Sequence, residues 1–334
     1  EIYDSGILSK YHRSDAFMRL WTDTEAKLKT SLNVPDEYEV YVTSSATECW
    51  EIVNQSLISG NTSYAYNGSF GKKWANYYAT NNKLLFNQKG LRITERTFGI
   101  DEELPISSLQ NEGTICLTHN ETSNGTFLGD TCLLELRKQN PNALIAIDAT
   151  SSMAGVSLPW QSGDAWFASV QKCFGLPSGL AVLIVSQRAI KRAEALNDKA
   201  HYNSLLNIRA NFLKNQTPYT PNILGIALLN KRVEFVEKME VIDAKIRHRA
   251  NDFYNFIETQ TAFDLLIKNE SVRSPTVITI KVEPAEIQRV TDRLKVAEIE
   301  IGKGYGEWKE STFRVANFPA ITDAEFEYLK KNLR

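Results

Sequence analysis

Cysteine is scarce in this chain: Cys49, Cys116, Cys132 and Cys173 are the four among 334 residues. None stands in CxxC spacing and the density is too low for a disulfide framework, so a reducing compartment, the cytoplasm, is expected. Histidine is equally scarce, and His119, His201 and His248 fall at no metal-ligand spacing; they read as structural, with no metal expected. Apolar runs stop well short of the ~20 residues a bilayer span requires. Neither sign of charge dominates: 38 basic against 40 acidic residues leave a formal charge of −2. That balance gives no reason to expect nucleic acid or a membrane as partner. No GxGxxG follows the first apolar run, which argues against a dinucleotide-binding dehydrogenase. There is no basic-then-apolar leader, and the chain opens on Glu1 rather than methionine, so some N-terminal sequence is expected to be missing.

The chain does have enough length and apolar content, 43% hydrophobic, for a large domain and a smaller one. From Val40 to about Val185 short apolar runs alternate with helix-like segments: YVT at 41–43, ATECWEIVNQSLI at 46–58, TICLTH at 114–119, LLELRKQ at 133–139, ALIAID at 143–148, AWFASV at 165–170 and GLAVLIV at 179–185. Runs apolar on both faces predict buried, mainly parallel strands covered by helices, hence an α/β fold. Beyond the turn-rich NQTPYTPN at 215–222, residues Gly225 to about Glu258 predict one long helix, with apolar positions at Ile226, Leu229, Val233, Val236 and Ile242. The tail, with RSPTVITIKV at 273–282, a helix at 285–296, FRVANF at 313–318 and the capping pattern TDAE at 322–325, predicts an α+β module. The expected division is 1–224 and 225–334.

Three features converge on one chemistry. Lys172 lies in SVQKCFGLPSG, between an apolar run and a loop punctuated by glycine and proline. Asp148 ends ALIAID, which places a carboxylate at the carboxyl end of a strand, where α/β proteins keep their ligand crevices. VTSSATECWE at 42–51 passes from a strand through Ser45, Ala46 and Thr47 into a helix, whose first amides suit a phosphate. Taken singly, the three have plainer readings: a snorkelling lysine, a capping aspartate, an ordinary N-cap. Together they are what pyridoxal phosphate (PLP) needs: an amine to bond its aldehyde, a carboxylate to hold its ring nitrogen protonated, and an anion cradle.

Several stretches, in order, resemble the class V aminotransferases of PLP fold type I: THNETSNG at 118–125, IDATSSMAGVSL at 147–158 and SVQKCFGLPSGLAVLIVS at 169–186, supported by NGSFGKKW at 67–74 and NQTPYTP at 215–221. The resemblance implies that Lys172 carries the cofactor covalently and that Asp148 is the partner of the ring nitrogen. It implies further that Gln171 and Thr122 meet the ring hydroxyl, that Phe70 stacks on the ring, and that Ser45, Ala46 and Thr47 hold the phosphate. Thr217 matches a residue that reaches the phosphate of a neighbouring subunit, which implies a homodimer with composite sites. Arg314 matches the arginine that grips the substrate carboxylate, and His12 and Arg13 match a pair near the substrate's distal group. Amino-acid and 2-oxo-acid substrates follow from the resemblance.

Two branches of the family compete. LNVPDEYEVYVTSSAT at 32–47 and the HRS motif resemble the branch that exchanges an amino group between phosphoserine and 2-oxoglutarate, in serine biosynthesis. NGSFGKKW, SVQKCFGLPSGLAVLIVSQRA and GKGYGEWKESTFR resemble the alanine–glyoxylate and serine–pyruvate branch, whose substrates are alanine, serine or aspartate. The first is preferred. However, a His-Arg pair that phosphoserine enzymes carry just before the carboxylate arginine is absent from GEWKESTF at 306–313, where Lys303 or Lys309 is a candidate replacement. A non-catalytic PLP-binding or structural homologue is the alternative from another class, and intact Lys172, Asp148 and Arg314 argue against it.

Overall fold

The structure, a computed structural model, describes residues 1–81, 92–110, 113–234 and 237–334. Its elements begin with α1 (Asp15–Leu32), β1 (Glu39–Thr43), α2 (Ala46–Ser56), β2 (Asn61–Tyr66), α3 (Ser69–Asn81), β3 (Arg92–Thr97) and β4 (Thr114–Thr118). A short hairpin, β5 (Asn120–Glu121) and β6 (Thr126–Phe127), leads to α4 (Asp130–Gln139). Then come β7 (Leu144–Asp148), β8 (Ala165–Ser169), β9 (Ala181–Val185), α5 (Gln187–Leu196) and α6 (Leu205–Phe212). The remainder is α7 (Ile223–Glu234), α8 (Met239–Glu258), β10 (Asp264–Leu265), β11 (Val277–Lys281), α9 (Ile287–Val296), β12 (Gly302–Lys303), β13 (Thr312–Ala316) and α10 (Asp323–Leu333).

Seven strands form the central sheet in the order β1-β9-β8-β7-β4-β2-β3. The pairs β8/β7, β7/β4, β4/β2 and β2/β3 are parallel, and β9 runs antiparallel to both β8 and β1. The mainly parallel sheet expected from the apolar runs is therefore present. Every residue of β7, β8 and β9 is buried, as strands covered by helices on both faces require. Each large side chain so buried contributes roughly 1.5–3 kcal/mol, and this stack of strands holds the carboxyl ends of β7 and β8 in fixed register.

Helix starts follow their local chemistry. Ser45 Oγ accepts from the Glu48 amide at the start of α2, and Thr322 and Glu325 form a complete capping box on α10. The single helix expected from Gly225 to Glu258 is two. Residues Glu237 and Lys238 are not helical, and Lys238 takes an extended backbone with ψ 143° ahead of α8; Val236 lies outside the described residues. No proline or glycine explains the break. Its setting is tertiary: α7 lies along α1, where Asn230 donates to Asp23 Oδ2 (2.7 Å) and Thr24 Oγ1 (3.1 Å), while α8 starts again against the first core with Met239, Ile242 and Ile246 and then carries Ala250, Phe253 and Ile257 into a second.

That second core sits against a four-stranded antiparallel sheet, β10-β11-β13-β12, with α8, α9 and α10. Ile226, Leu229, Val233, Met239, Ile242 and Ile246 belong to the first core. No described helix is long and apolar enough to cross a membrane.

Candidate active site

A cavity of about 270 Å³ opens at the carboxyl ends of β4, β7 and β8. It is lined by Ala46, Thr47, Trp50, Phe70, Lys73, Tyr77, Thr118, Asn120, Thr122, Asp148, Thr150, Ser169, Gln171 and Lys172. The strand ends, the start of α2 and the first turns of α3 thus meet in one place, as expected for an α/β crevice.

Asp148, the last residue of β7, is 4% exposed. Its Oδ1 accepts from the Thr150 amide at 2.9 Å and its Oδ2 from the Trp50 indole at 2.8 Å. Burial pushes its carboxyl above the usual range, against the opposing effect of those hydrogen bonds from Thr150 and Trp50. Lys172 stands in the turn after β8, half-buried. Desolvation pushes its ammonium below the ordinary lysine range, and the Arg314 charge nearby adds to the effect. A dry amine with a lowered pKa is more readily a neutral nucleophile or base.

The start of α2 is fastened to β8 because Ser169 Oγ accepts from the Ala46 amide at 2.9 Å. The Thr47 amide has no hydrogen-bond partner among the described residues, so it remains a donor at a helix start facing the cavity.

On the opposite wall, Glu121 is fully buried and fastens α3: one carboxylate oxygen accepts from the Phe70 and Gly71 amides at 3.1 Å each, the other from Ser123. The chain passes so close at Gly68 that a Cβ there would lie 2.2 Å from Glu121 Cγ, which explains the glycine. One turn into α3, Lys73 donates from Nζ to the Tyr305 hydroxyl at 3.1 Å. Phe70 stacks on Tyr305 with ring centroids 5.3 Å apart and planes at 25°. Arg314 lies against the same tyrosine at 5.5 Å from its centroid, with Nε and Nη1 donating to the carbonyls of Lys303 and Thr122, both at 2.8 Å.

Of the residues singled out in the sequence, Ala46, Thr47, Phe70, Thr122, Asp148, Gln171 and Lys172 line the cavity. Ser45 caps the helix beside it and Arg314 adjoins it through Thr122. Thr122 Oγ1 shares a hydrogen bond with Ser151 Oγ. Three residues are not brought there by their own chain: Thr217 is buried with its hydroxyl on the Tyr219 carbonyl, and His12 and Arg13 lie in the N-terminal segment ahead of α1. Lys303 and Lys309 do not line the cavity either. Both line a separate groove beside α9 and β12, and Lys309 faces Glu310 at 3.8 Å.

Sequence reasoning missed Trp50, Lys73, Tyr77, Asn120 and Tyr305. Helical spacing held a signal for three of them: Trp50 lies one turn after Ala46 and Thr47, and Phe70, Lys73 and Tyr77 follow at i, i+3 and i+7. Asn120 and Tyr305 left none.

The profile of the Aminotransferase class-V family matches residues 2–307, and the chain belongs to that family. It is an aminotransferase, with an amino acid and a 2-oxo acid as substrates. The phosphoserine aminotransferase of Corynebacterium glutamicum (strain R) is 25% identical over 338 residues, covering 97% of this chain and 86% of that protein. The crystal structure of a phosphoserine aminotransferase from Cytophaga hutchinsonii ATCC 33406 superposes with a TM-score of 0.90 at 31% identity, over 99% of this chain and 92% of that one. An aspartate aminotransferase from Thermus thermophilus shares the fold, with a TM-score of 0.84 at 20% identity over 98% of this chain and 93% of its own.

Proposed function

We propose that the chain is a PLP-dependent aminotransferase exchanging an amino group between phosphoserine and 2-oxoglutarate, and that it works as a cytoplasmic homodimer. The observation that carries the cofactor reading is the pairing of a buried carboxylate, Asp148, with a half-buried lysine, Lys172, in one cavity at the strand ends. The relatives named phosphoserine aminotransferase carry the choice of substrate.

The residues present fit the cofactor. Thr118 Oγ1 and Asn120 Nδ2 are buried polar atoms in the cavity wall without hydrogen-bond partners among the described residues, a bonding capacity that a polar ring substituent would satisfy. Bound there, PLP supplies an electron-withdrawing ring that weakens the bonds at the substrate's Cα. Lys172 would be its covalent anchor and, once released, the base that takes the Cα proton and returns it. Asp148, held by Thr150 and Trp50, would keep a proton on the ring nitrogen. Ser45, Ala46 and Thr47 would receive the phosphate at the start of α2, with Thr122 and Gln171 at the ring hydroxyl and Phe70 against the ring.

Arg314 keeps N–H groups without hydrogen bonds among the described residues, and a guanidinium is the natural two-pronged partner for an α-carboxylate. Thr217, His12 and Arg13 would reach the cavity of a second copy. Exposed Tyr3, Tyr11, Tyr202 and Leu213, at 60% or more, support a covering partner. Four unpaired cysteines support a reducing compartment. The division at 1–224 and 225–334 is carried forward as part of this reading; a second core that begins at Ala250 supports a separate C-terminal unit, although Ile226 to Ile246 pack into the first core.

The test is a half-reaction on purified holoenzyme. Phosphoserine, serine, alanine and aspartate are added separately, and the visible band of the bound cofactor is followed. Discharge by phosphoserine alone is the expected result. Discharge by the unphosphorylated amino acids instead would move the chain to the small-amino-acid branch.

A further inference from the structure

The cavity is lined by two lysines, Lys73 and Lys172, and one carboxylate, Asp148, with Arg314 adjoining. Lys172 and Asp148 are engaged by the cofactor chemistry and Arg314 by the α-carboxylate, which leaves Lys73 unexplained. Its base is fixed, since Glu121 holds the amides of Phe70 and Gly71 one turn earlier. Its Nζ is steered by a neutral group, the Tyr305 hydroxyl at 3.1 Å, and stands 5.8 Å from the ring centroids of both Phe70 and Tyr305. Among the described residues no carboxylate pairs with it. An ammonium has three donors and this one uses a single donor on a phenol, so it keeps both charge and hydrogen-bonding capacity for a ligand.

We infer that Lys73, oriented by Tyr305, is the chain's own cation in the subsite for the anionic distal group of the substrate, beside the His12 and Arg13 that a second copy would bring. This rests on the phosphoserine reading. The two substrates occupy the same site in turn, one ending in a phosphate and the other in a second carboxylate. A lysine is a compact point charge with three rotatable donors, which adapts to a phosphate or a carboxylate in turn. Lys73 also supplies, from the chain's own cavity, a cation that the segment 306–313 lacks at the positions where it was expected. Tyr305 is the positioning residue: its hydroxyl accepts from Nζ at 3.1 Å and its ring lies 5.5 Å from Arg314, so one tyrosine spaces the two cations that meet the two anionic ends of one ligand.

The test uses holoenzyme and ligands with no amine to transfer: 3-phosphoglycerate and glutarate, with glycerate lacking the distal anion as control. Binding is measured by calorimetry. Lys73→Met is expected to weaken 3-phosphoglycerate at least tenfold and glutarate several-fold, to leave glycerate unaffected, and to retain the cofactor's absorption spectrum. Lys73→Arg is expected to recover part of the loss. Tyr305→Phe is expected to raise KM for phosphoserine severalfold, with a smaller effect on kcat. Wild-type binding of 3-phosphoglycerate that Lys73→Met leaves unchanged would overturn the inference while the phosphoserine reading stands. A wild type that neither prefers 3-phosphoglycerate to glycerate nor is discharged by phosphoserine would overturn that reading itself.

Discussion

The indole of Trp50 donates to Oδ2 of Asp148 at 2.8 Å, across 98 positions of sequence. Trp50 is itself 5% exposed and stacks on Trp74 with the planes at 10°, while Trp74 donates to Asn54. The carboxylate is therefore aimed by a rigid aromatic pair. Replacing Trp50 by Phe keeps an aromatic ring and removes the donor, which costs about 1.5–3 kcal/mol for a hydrogen bond to a charged group. The Trp50→Phe protein is expected to bind PLP at least several-fold more weakly, and to show a shifted pH dependence of the bound cofactor's spectrum. Spectral titration of the reconstituted protein checks both.

Lys172→Ala is expected to abolish the covalent attachment of the cofactor while leaving the fold intact. Mass spectrometry after borohydride reduction reads the first, and far-ultraviolet circular dichroism the second. A wild-type mass increment in the variant would remove Lys172 from its assigned role.

Arg314→Lys retains charge and loses the fork. Binding of the substrate carboxylate should weaken by about tenfold or more, while the affinity for PLP changes little. An equal loss of both would mark Arg314 as a structural residue that ties β13 to the Thr122 carbonyl.

His119 is fully buried, with Nδ1 on Ser152 Oγ at 2.8 Å and Nε2 without a hydrogen-bond partner among the described residues. Burial is the main cause that lowers its pKa to about 3. Because the folded value lies below the unfolded one, the contribution to stability is whole above about pH 6.5 and is lost as pH falls toward 3. About 2–3 kcal/mol should be gone by pH 4.5. Asp148 and Glu121, whose carboxyls burial raises, act in the opposite direction over the acid range. The informative quantity is thus the difference from His119→Gln, whose unfolding free energy should fall less steeply with acid in denaturant titrations.

Gly68→Ala places a Cβ where Glu121 already sits. Overpacking of this kind costs roughly 1–3 kcal/mol, measurable by denaturant unfolding. It should also loosen the amides of Phe70 and Gly71.

What the sequence made legible was local. Asp148 closes an apolar run, Ser45 precedes a helix, and Thr322 with Glu325 spells a cap; each is settled within a few residues of chain. The central strands were visible for the same reason, because burial on both faces writes a continuous apolar run. Trp50 and Lys73 showed only a helical spacing, because their meaning lies in partners 98 and 232 positions away. The break before α8 escaped for a related reason, since α7 is fixed by Asn230 against α1, about 206 positions away, and no proline or glycine marks where it ends. His12, Arg13 and Thr217 stand apart from the cavity of their own chain, and the composite site proposed for them needs a second one.

Tyr305 and Arg314 belong to one hairpin, since β12 pairs with β13 through Gly302 and Arg314 and the connection between the two strands carries Tyr305. Whatever displaces that hairpin carries the arginine and the tyrosine together. With Arg314 on one end of the ligand and Tyr305 steering Lys73 at the other, as proposed, the hairpin acts as a ruler. A substrate is then graded by the distance between its two anionic ends, so that one methylene too few or too many should cost more than exchanging a phosphate for a carboxylate.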